Sequence, residues 1–262
     1  HDALPIFGDV NAIVQNASTK PQDAPVMVYM IWNQPPFAIV TKKTSGINTI
    51  KDFEGHTLGG AQGTPTTRLL PVFVQKNKLE GEKIKISNMA PNLQEPMLIK
   101  GDIDAALVFN ITSYFNLVLN RQDPDKDYKW FQFGDYGLDL YSNGLLTRED
   151  LIASQPERVK RWVESTMKAW AWSVEHPNEA LASFLKHNPA VDPDQARDHF
   201  RIAVKHIMTD TARREGIGQI DPEKMKRTVE FVSQYFDVKG VSADDVYTNQ
   251  FTPKLFPKET SF

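Results

Sequence analysis

The stretch Gly59-Gly60-Ala61-Gln62-Gly63-Thr64-Pro65-Thr66-Thr67, "GGAQGTPTT", runs directly into the apolar sequence "RLLPVF". Thr64 suits an N-cap and Pro65 suits the first helical position. A helix starting there leaves its first amide N–H groups without intrahelical partners and carries a partial positive charge. The glycines let a ligand come close to the backbone, and Thr66 and Thr67 add hydroxyls. Together these groups suit a small anion or polar group. A well-capped helix after a tight turn explains the same residues without any ligand. No lysine follows the last glycine, so the stretch is not a phosphate-binding loop of the Walker type.

Other side chains of the same kind sit where strands are predicted to end. "IWNQPPF" offers Trp32 and Asn33, an aromatic face and an amide ahead of two prolines. Such groups suit a flat polar solute. "VFN" offers Phe109 and Asn110, "FGD" offers Asp9, and "GDYGLDLY" offers Tyr136 and Tyr141. Each alone also reads as packing or a loop amide; five on strand ends together favour a cleft. Catalytic signals are weak. His176 and His187 flank predicted helix ends, and His199 and His206 read as helix surface. No histidine pair has metal-ligand spacing. Trp162, Trp170 and Trp172 read as helix packing. No catalytic residue, metal or cofactor is expected.

These residues need a scaffold, and the hydrophobic pattern supplies one. Strands are predicted over 2–7, 25–31, 36–43, 56–62, 83–89 and 104–110. Helices are predicted from Asp9, over 65–77, near 92–100 and over 111–121. Strand alternating with helix predicts an α/β fold with a parallel sheet. Two more strands follow, near 128–133 and 140–147. Helices then take over. Ser154-Gln155-Pro156-Glu157 reads as a capping box. Val159, Val163, Met167, Trp170 and Val174 mark one helical face. Asp192-Pro193 and Asp221-Pro222 start further helices, and Gly240 is a candidate stop for the last.

Composition narrows the function classes. The 262 residues suffice for one large domain or two lobes. There are 33 acids against 30 bases, a net charge of −3, so no nucleic-acid partner is expected. There are no cysteines, which removes disulfides and thiolate chemistry. No apolar run approaches the ~20 residues of a membrane span, and no signal-peptide pattern opens the chain.

The order "FGDVNAIV", "PFAIVTKKTSGINTIKDFEGHTLGGAQGTP", "MLIKGDIDAALVF" and "LYSNGLLTREDLIASQPERVKRWVESTMKAWAWSVEHPNEA" resembles the periplasmic solute-binding proteins of ABC importers. The similarity runs over about 2–236. It is strongest to the branch that binds thiamine-pyrimidine precursors, alkanesulfonates, taurine and nitrate. The resemblance implies a two-lobed α/β fold of the type II periplasmic-binding-protein kind, with a helical C-terminal part. It implies a first lobe of 1–43 and 140–262, a second lobe of 46–135, and crossing strands near 37–43 and 140–147. It also implies a further strand–helix segment ahead of the "FGD" strand, which this sequence lacks.

Carried onto this chain, the resemblance places Asp9, Trp32 and Asn33 on one side of a solute, and Gln62, Thr64, Thr66, Phe109 and Asn110 on the other. Tyr136 falls near the second crossing. It implies a monomeric periplasmic protein that closes about a hinge on a small-molecule solute and delivers it to a membrane permease. The same fold occurs in a pyrimidine synthase of thiamine biosynthesis, an enzyme with a cysteine-rich iron-binding motif. The absence of cysteine sets that alternative back. A sensor domain is a third alternative, and no DNA-binding segment supports it.

Overall fold

The computed structural model describes residues 6–20 and 23–261. In chain order its elements are β1 (Ile6–Asp9), α1 (Val10–Thr19), β2 (Pro25–Met30), β3 (Phe37–Lys42), β4 (Thr57–Ala61), α2 (Pro65–Lys76), β5 (Lys85–Met89), α3 (Gln94–Lys100), β6 (Ala105–Phe109), α4 (Asn110–Leu119), β7 (Tyr128–Gln132) and β8 (Asn143–Arg148). The helices α5 (Glu149–Ser154), α6 (Pro156–Glu175), α7 (Pro177–His187), α8 (Pro193–Ile207), α9 (Asp210–Glu215) and α10 (Pro222–Tyr235) follow. The strand predicted over 2–7 runs from Ile6 to Asp9; residues 2–5 lie outside the described residues.

The chain divides into two units, one taking residues up to Pro35 and from Leu140 onward, the other Pro36–Asp139. Residues 37–43, expected with the first lobe, fall in the second unit. The reason is pairing: β3 bonds β6 on one side and β7 on the other.

In the first unit β8 lies between β1 and β2, antiparallel to both. Both β2 and β8 are apolar on both faces because helices cover both faces. Val10, Ile13 and Val14 of α1 pack with Met27, Leu146 and the α10 residues Met225, Val229 and Val232. Across the sheet, Val28, Tyr29 and Leu145 meet Val159, Val163 and Met167 of α6 and Ile207 of α8. The four-residue spacing read from the sequence is thus the buried face of α6. The capping box expected at Ser154 does not form. Ser154 ends α5 and donates its hydroxyl to the Asp150 carbonyl at 2.6 Å, and α6 starts at Pro156 with no side-chain cap. The Asp192 and Asp221 carboxylates do cap α8 and α10. The last helix stops at Tyr235, ahead of Gly240.

In the second unit the strand order is β5-β4-β6-β3-β7. The β4 strand runs parallel to both β5 and β6, while β3 is antiparallel to β6 and β7. The sheet is therefore mixed rather than wholly parallel. No α-helix lies between β3 and β4, only short turns at 43–45 and 50–53, so a parallel crossover is not required of β3. One face carries phenylalanines in tilted and edge-on contact, with Phe37, Phe53, Phe73, Phe131 and Phe133 at centroid separations of 4.9 to 6.5 Å. The other carries Val40, Leu98, Ala106, Val108 and Leu117.

Two consequences for stability follow. Gly218 has φ +78°, and its carbonyl accepts from Met30 N at 2.9 Å. A Cβ there would stand 1.9 Å from Cε2 of the buried Tyr29 ring. Gly218→Ala is expected to cost about 3 kcal/mol, from backbone strain plus overpacking. Urea denaturation measures it, and an unchanged midpoint would contradict the packing described. Second, His199 and His206 of α8 are both held below the usual histidine range by burial. In the unfolded chain they take up protons near pH 6.5. The unfolded state then binds more protons than the folded state, so stability present at pH 7.5 is lost as pH falls below about 6.5. His206→Asn is expected to flatten that slope in denaturation series between about pH 7.5 and 5.5. An unchanged slope would contradict a neutral buried His206.

Candidate functional site

The carboxyl ends of β4 and β6 bring one group of predicted residues together, because Gly60 pairs with Leu107 in parallel register. Gln62 is exposed, and Gly63 turns the chain at φ +80°, a conformation glycine adopts without strain. Thr64 stands at the N-cap of α2, yet its hydroxyl does not cap the helix. It donates to the Ala61 carbonyl at 2.8 Å, as does Thr67. The Thr66 hydroxyl lies 3.2 Å from that of Thr64. The Thr67 hydroxyl also lies 3.0 Å from that of Thr64, so the three hydroxyls bond one another and the Ala61 carbonyl. The donors at this edge are the first-turn amides of α2, which the N-cap side chain leaves uncapped. Thr66 itself is only 1% exposed, so its hydroxyl shapes the turn.

Gly59 and Gly60 do not open the backbone to a ligand, as the sequence suggested. They lie within β4, where a Cβ would meet Ile103 and Met89, or Thr67 and Leu107, inside 3 Å. Phe109 ends β6 half-buried, its ring 5.2 Å from Phe37. Asn110 opens α4. Its main-chain amide donates to the Pro36 carbonyl at 2.7 Å, and its Nδ2 to Gln132 Oε1 at 3.0 Å. Gln132, the last residue of β7, is a polar neighbour that sequence reasoning missed. Tyr136 does not join this group. Its ring packs on Phe73 and Phe131, and its carbonyl accepts from Asn77, the C-cap of α2. Phe73 lies nine residues along α2 from Thr64, or about 13 Å at the helical rise.

The first unit gathers a second group at one end of its sheet. Asp9 ends β1 and caps α1, with Oδ1 accepting from Asn11 N at 2.9 Å and Asn11 Nδ2 at 2.8 Å. Across the ladder it faces Asn143. The Asn143 carbonyl accepts from Ile31 N at 3.2 Å and Trp32 N at 3.0 Å, so Asp9, Asn143 and Trp32 share this end. Ser142 donates to Asn143 Oδ1 at 2.7 Å. Asn143 was missed because only the register with Asp9 distinguishes it from any other strand residue.

Trp32 is half-buried, edge-on to Trp170 at 6.4 Å and to His206 at 6.2 Å. Asn33 is 3% exposed; its carbonyl accepts from Lys224 Nζ at 2.7 Å. Both polar atoms of its amide are enclosed without a hydrogen-bond partner among the described residues. His206, read from the sequence as helix surface, is 6% exposed. Its Nδ1 lies 3.1 Å from the Gln34 carbonyl. A carbonyl only accepts, so Nδ1 carries the proton. Burial lowers the His206 pKa, and this bond opposes the shift. Tyr141, predicted to line a cleft, is fully buried and accepts from Asp221 N at 2.7 Å.

Among the described residues no group of three or more His, Cys, Asp or Glu could hold a metal ion. No described helix is long and apolar enough to cross a membrane.

Comparison with known proteins adds the following. The riboflavin-binding protein RibY of Chloroflexus aurantiacus is 21% identical over 258 residues, covering 89% of this chain and 67% of RibY. The periplasmic aliphatic sulphonate binding protein SsuA of Escherichia coli superposes with a TM-score of 0.69 at 14% identity, covering 94% of this chain and 81% of SsuA. A mutant of DSZB in complex with biphenyl-2-sulfinic acid superposes with a TM-score of 0.64 at 14% identity, covering 95% of this chain and 84% of DSZB. These superpositions establish an α/β fold of the periplasmic-binding-protein kind. The family model described as NMT1/THI5 like matches residues 11–180. With that match covering more than half of its length, the chain belongs to the NMT1/THI5-like family.

Proposed function

We propose that the chain is the solute-binding component of an ABC importer, one that captures a small polar organic solute and delivers it to a membrane permease. The observation that carries this reading is the α2 N-terminus at the carboxyl ends of β4 and β6, with first-turn amides that the N-cap side chain leaves uncapped. Such amides suit an anionic or polar head group. Family membership and the fold shared with SsuA support the same class.

The proposed contacts follow from the groups described above. The α2 amides and Gln62 take the head group, with Thr64 and Thr66 holding the turn. Phe109 and Trp32 offer flat apolar surface, and Asn110 an amide. Asn33 contributes through its place beside Trp32. Asp9 accepts from an amine or ring N–H. An ionised Asp9 repels a simple inorganic anion, which favours an organic solute with a donor group. A pyrimidine precursor of thiamine, an aminosulfonate such as taurine and, from the name of RibY, riboflavin form the first panel. Hinge closure, a monomeric state and a place outside the cytoplasmic membrane are part of the same proposal. The reading is non-enzymatic. The cysteine-rich motif of the pyrimidine synthase has no counterpart in a chain without cysteine.

Thermal denaturation with riboflavin, 4-amino-5-hydroxymethyl-2-methylpyrimidine, taurine and ethanesulfonate tests the proposal. A true solute at 100 times its Kd is expected to stabilise the fold by about 2.7 kcal/mol. Asp9→Asn keeps a good N-cap, so it is expected to preserve stability while weakening a donor-bearing solute roughly tenfold, as for one lost charge-assisted hydrogen bond. Unchanged affinity removes Asp9 from the site. No shift with any solute, together with bound iron and turnover, would replace the binder with an enzyme.

A further inference from the structure

We propose that Lys224 and His206 are positioning residues, which hold the Trp32–Gln34 main chain from α10 and α8 and so fix the orientation of the Trp32 ring. The role of Trp32 toward a solute rests on the reading above; the positioning itself does not.

The segment after β2 has no regular ladder up to Pro36, and its two prolines donate no hydrogen bond. Buried main-chain groups without partners are costly, and four groups of this segment find one from outside it. Ile31 N and Trp32 N donate to the Asn143 carbonyl. The consecutive carbonyls of Asn33 and Gln34 are taken by side chains, Lys224 Nζ at 2.7 Å and His206 Nδ1 at 3.1 Å.

Both donors are themselves fixed. Lys224 is 8% exposed, and its Nζ lies 5.0 Å from the centroid of the buried Tyr141 ring. The Tyr141 hydroxyl accepts from Asp221 N and its amide donates to Thr228 Oγ1, so α10 is docked on this one residue at two turns. The His206 ring stands edge-on to Trp32, and Trp170 closes on Trp32 from α6. A buried lysine amine or histidine ring is a costly way to fill apolar space. Donation to two consecutive carbonyls of an irregular segment accounts for both.

The test is fluorine NMR of protein labelled with 5-fluorotryptophan, with the Trp32 signal assigned by Trp32→Phe. Lys224→Met keeps the apolar stem and removes the donor. His206→Leu removes the ring N–H, and His206→Asn returns an N–H close to the position of Nδ1. The Trp32 signal is expected to shift or broaden in Lys224→Met and His206→Leu and to return in His206→Asn, while Trp130 and Trp172 hold. Riboflavin, as the probe solute, is expected to bind roughly tenfold more weakly to the first two variants and to recover in the third. An unmoved Trp32 signal in both Lys224→Met and His206→Leu overturns the proposal. So does a His206→Asn protein that behaves like His206→Leu, a pair that decides the matter even if Lys224→Met fails to fold. Absence of riboflavin binding by the unaltered protein counts against riboflavin as its solute and leaves the fluorine readout, taken without ligand, to decide.

Discussion

Two consecutive prolines leave residues 31–36 unable to build a ladder of their own, and the polar end of the first unit depends on how that shortage is met. The Asn143 carbonyl accepts from the first two amides of the segment, and donors from two helices reach the Asn33 and Gln34 carbonyls. This arrangement gives the C-terminal helices a task beyond covering the sheet. Their apolar faces bury the two sides of β2 and β8, and their polar side chains decide where Trp32 stands.

The two strand-end groups differ in chemistry. In the second unit the available donors are backbone amides at a helix start, because the threonine hydroxyls turn inward onto Ala61 and one another. In the first unit the chemistry is that of an acceptor, the Asp9 carboxylate beside Asn143. Helix-start amides suit an acidic or carbonyl group, and a carboxylate suits an N–H donor.

Much of the scaffold was legible in the sequence because it rests on local physics. The proline starts of α2, α6, α8 and α10 and the Asp192 and Asp221 caps were read directly. The apolar spacing of α6 marked its buried face. The strand ends bearing Asp9, Trp32 and Phe109 were also found, since turn residues and β-rich runs mark them. What failed depended on partners distant in sequence. The buried His206 bonds the Gln34 carbonyl, 172 residues away. The lock on Tyr141 comes from Asp221 and Thr228, some 80 residues on. Asn143 gains its place only through register with Asp9. The antiparallel sense of β3 follows from which strands flank it, and periodicity carries no such information. Tyr136 was drawn to the site by its place in the sequence, while the aromatic core drew its ring elsewhere.

The central claim is that this chain holds one small organic solute. Native mass spectrometry of the purified protein, after exposure to the small-molecule fraction of a cell extract, tests it most directly. The account predicts a single adduct of one defined small mass, bound one to one and lost on denaturation. A bare protein mass at every solute concentration, from a chain shown to be folded by its cooperative denaturation, would contradict it.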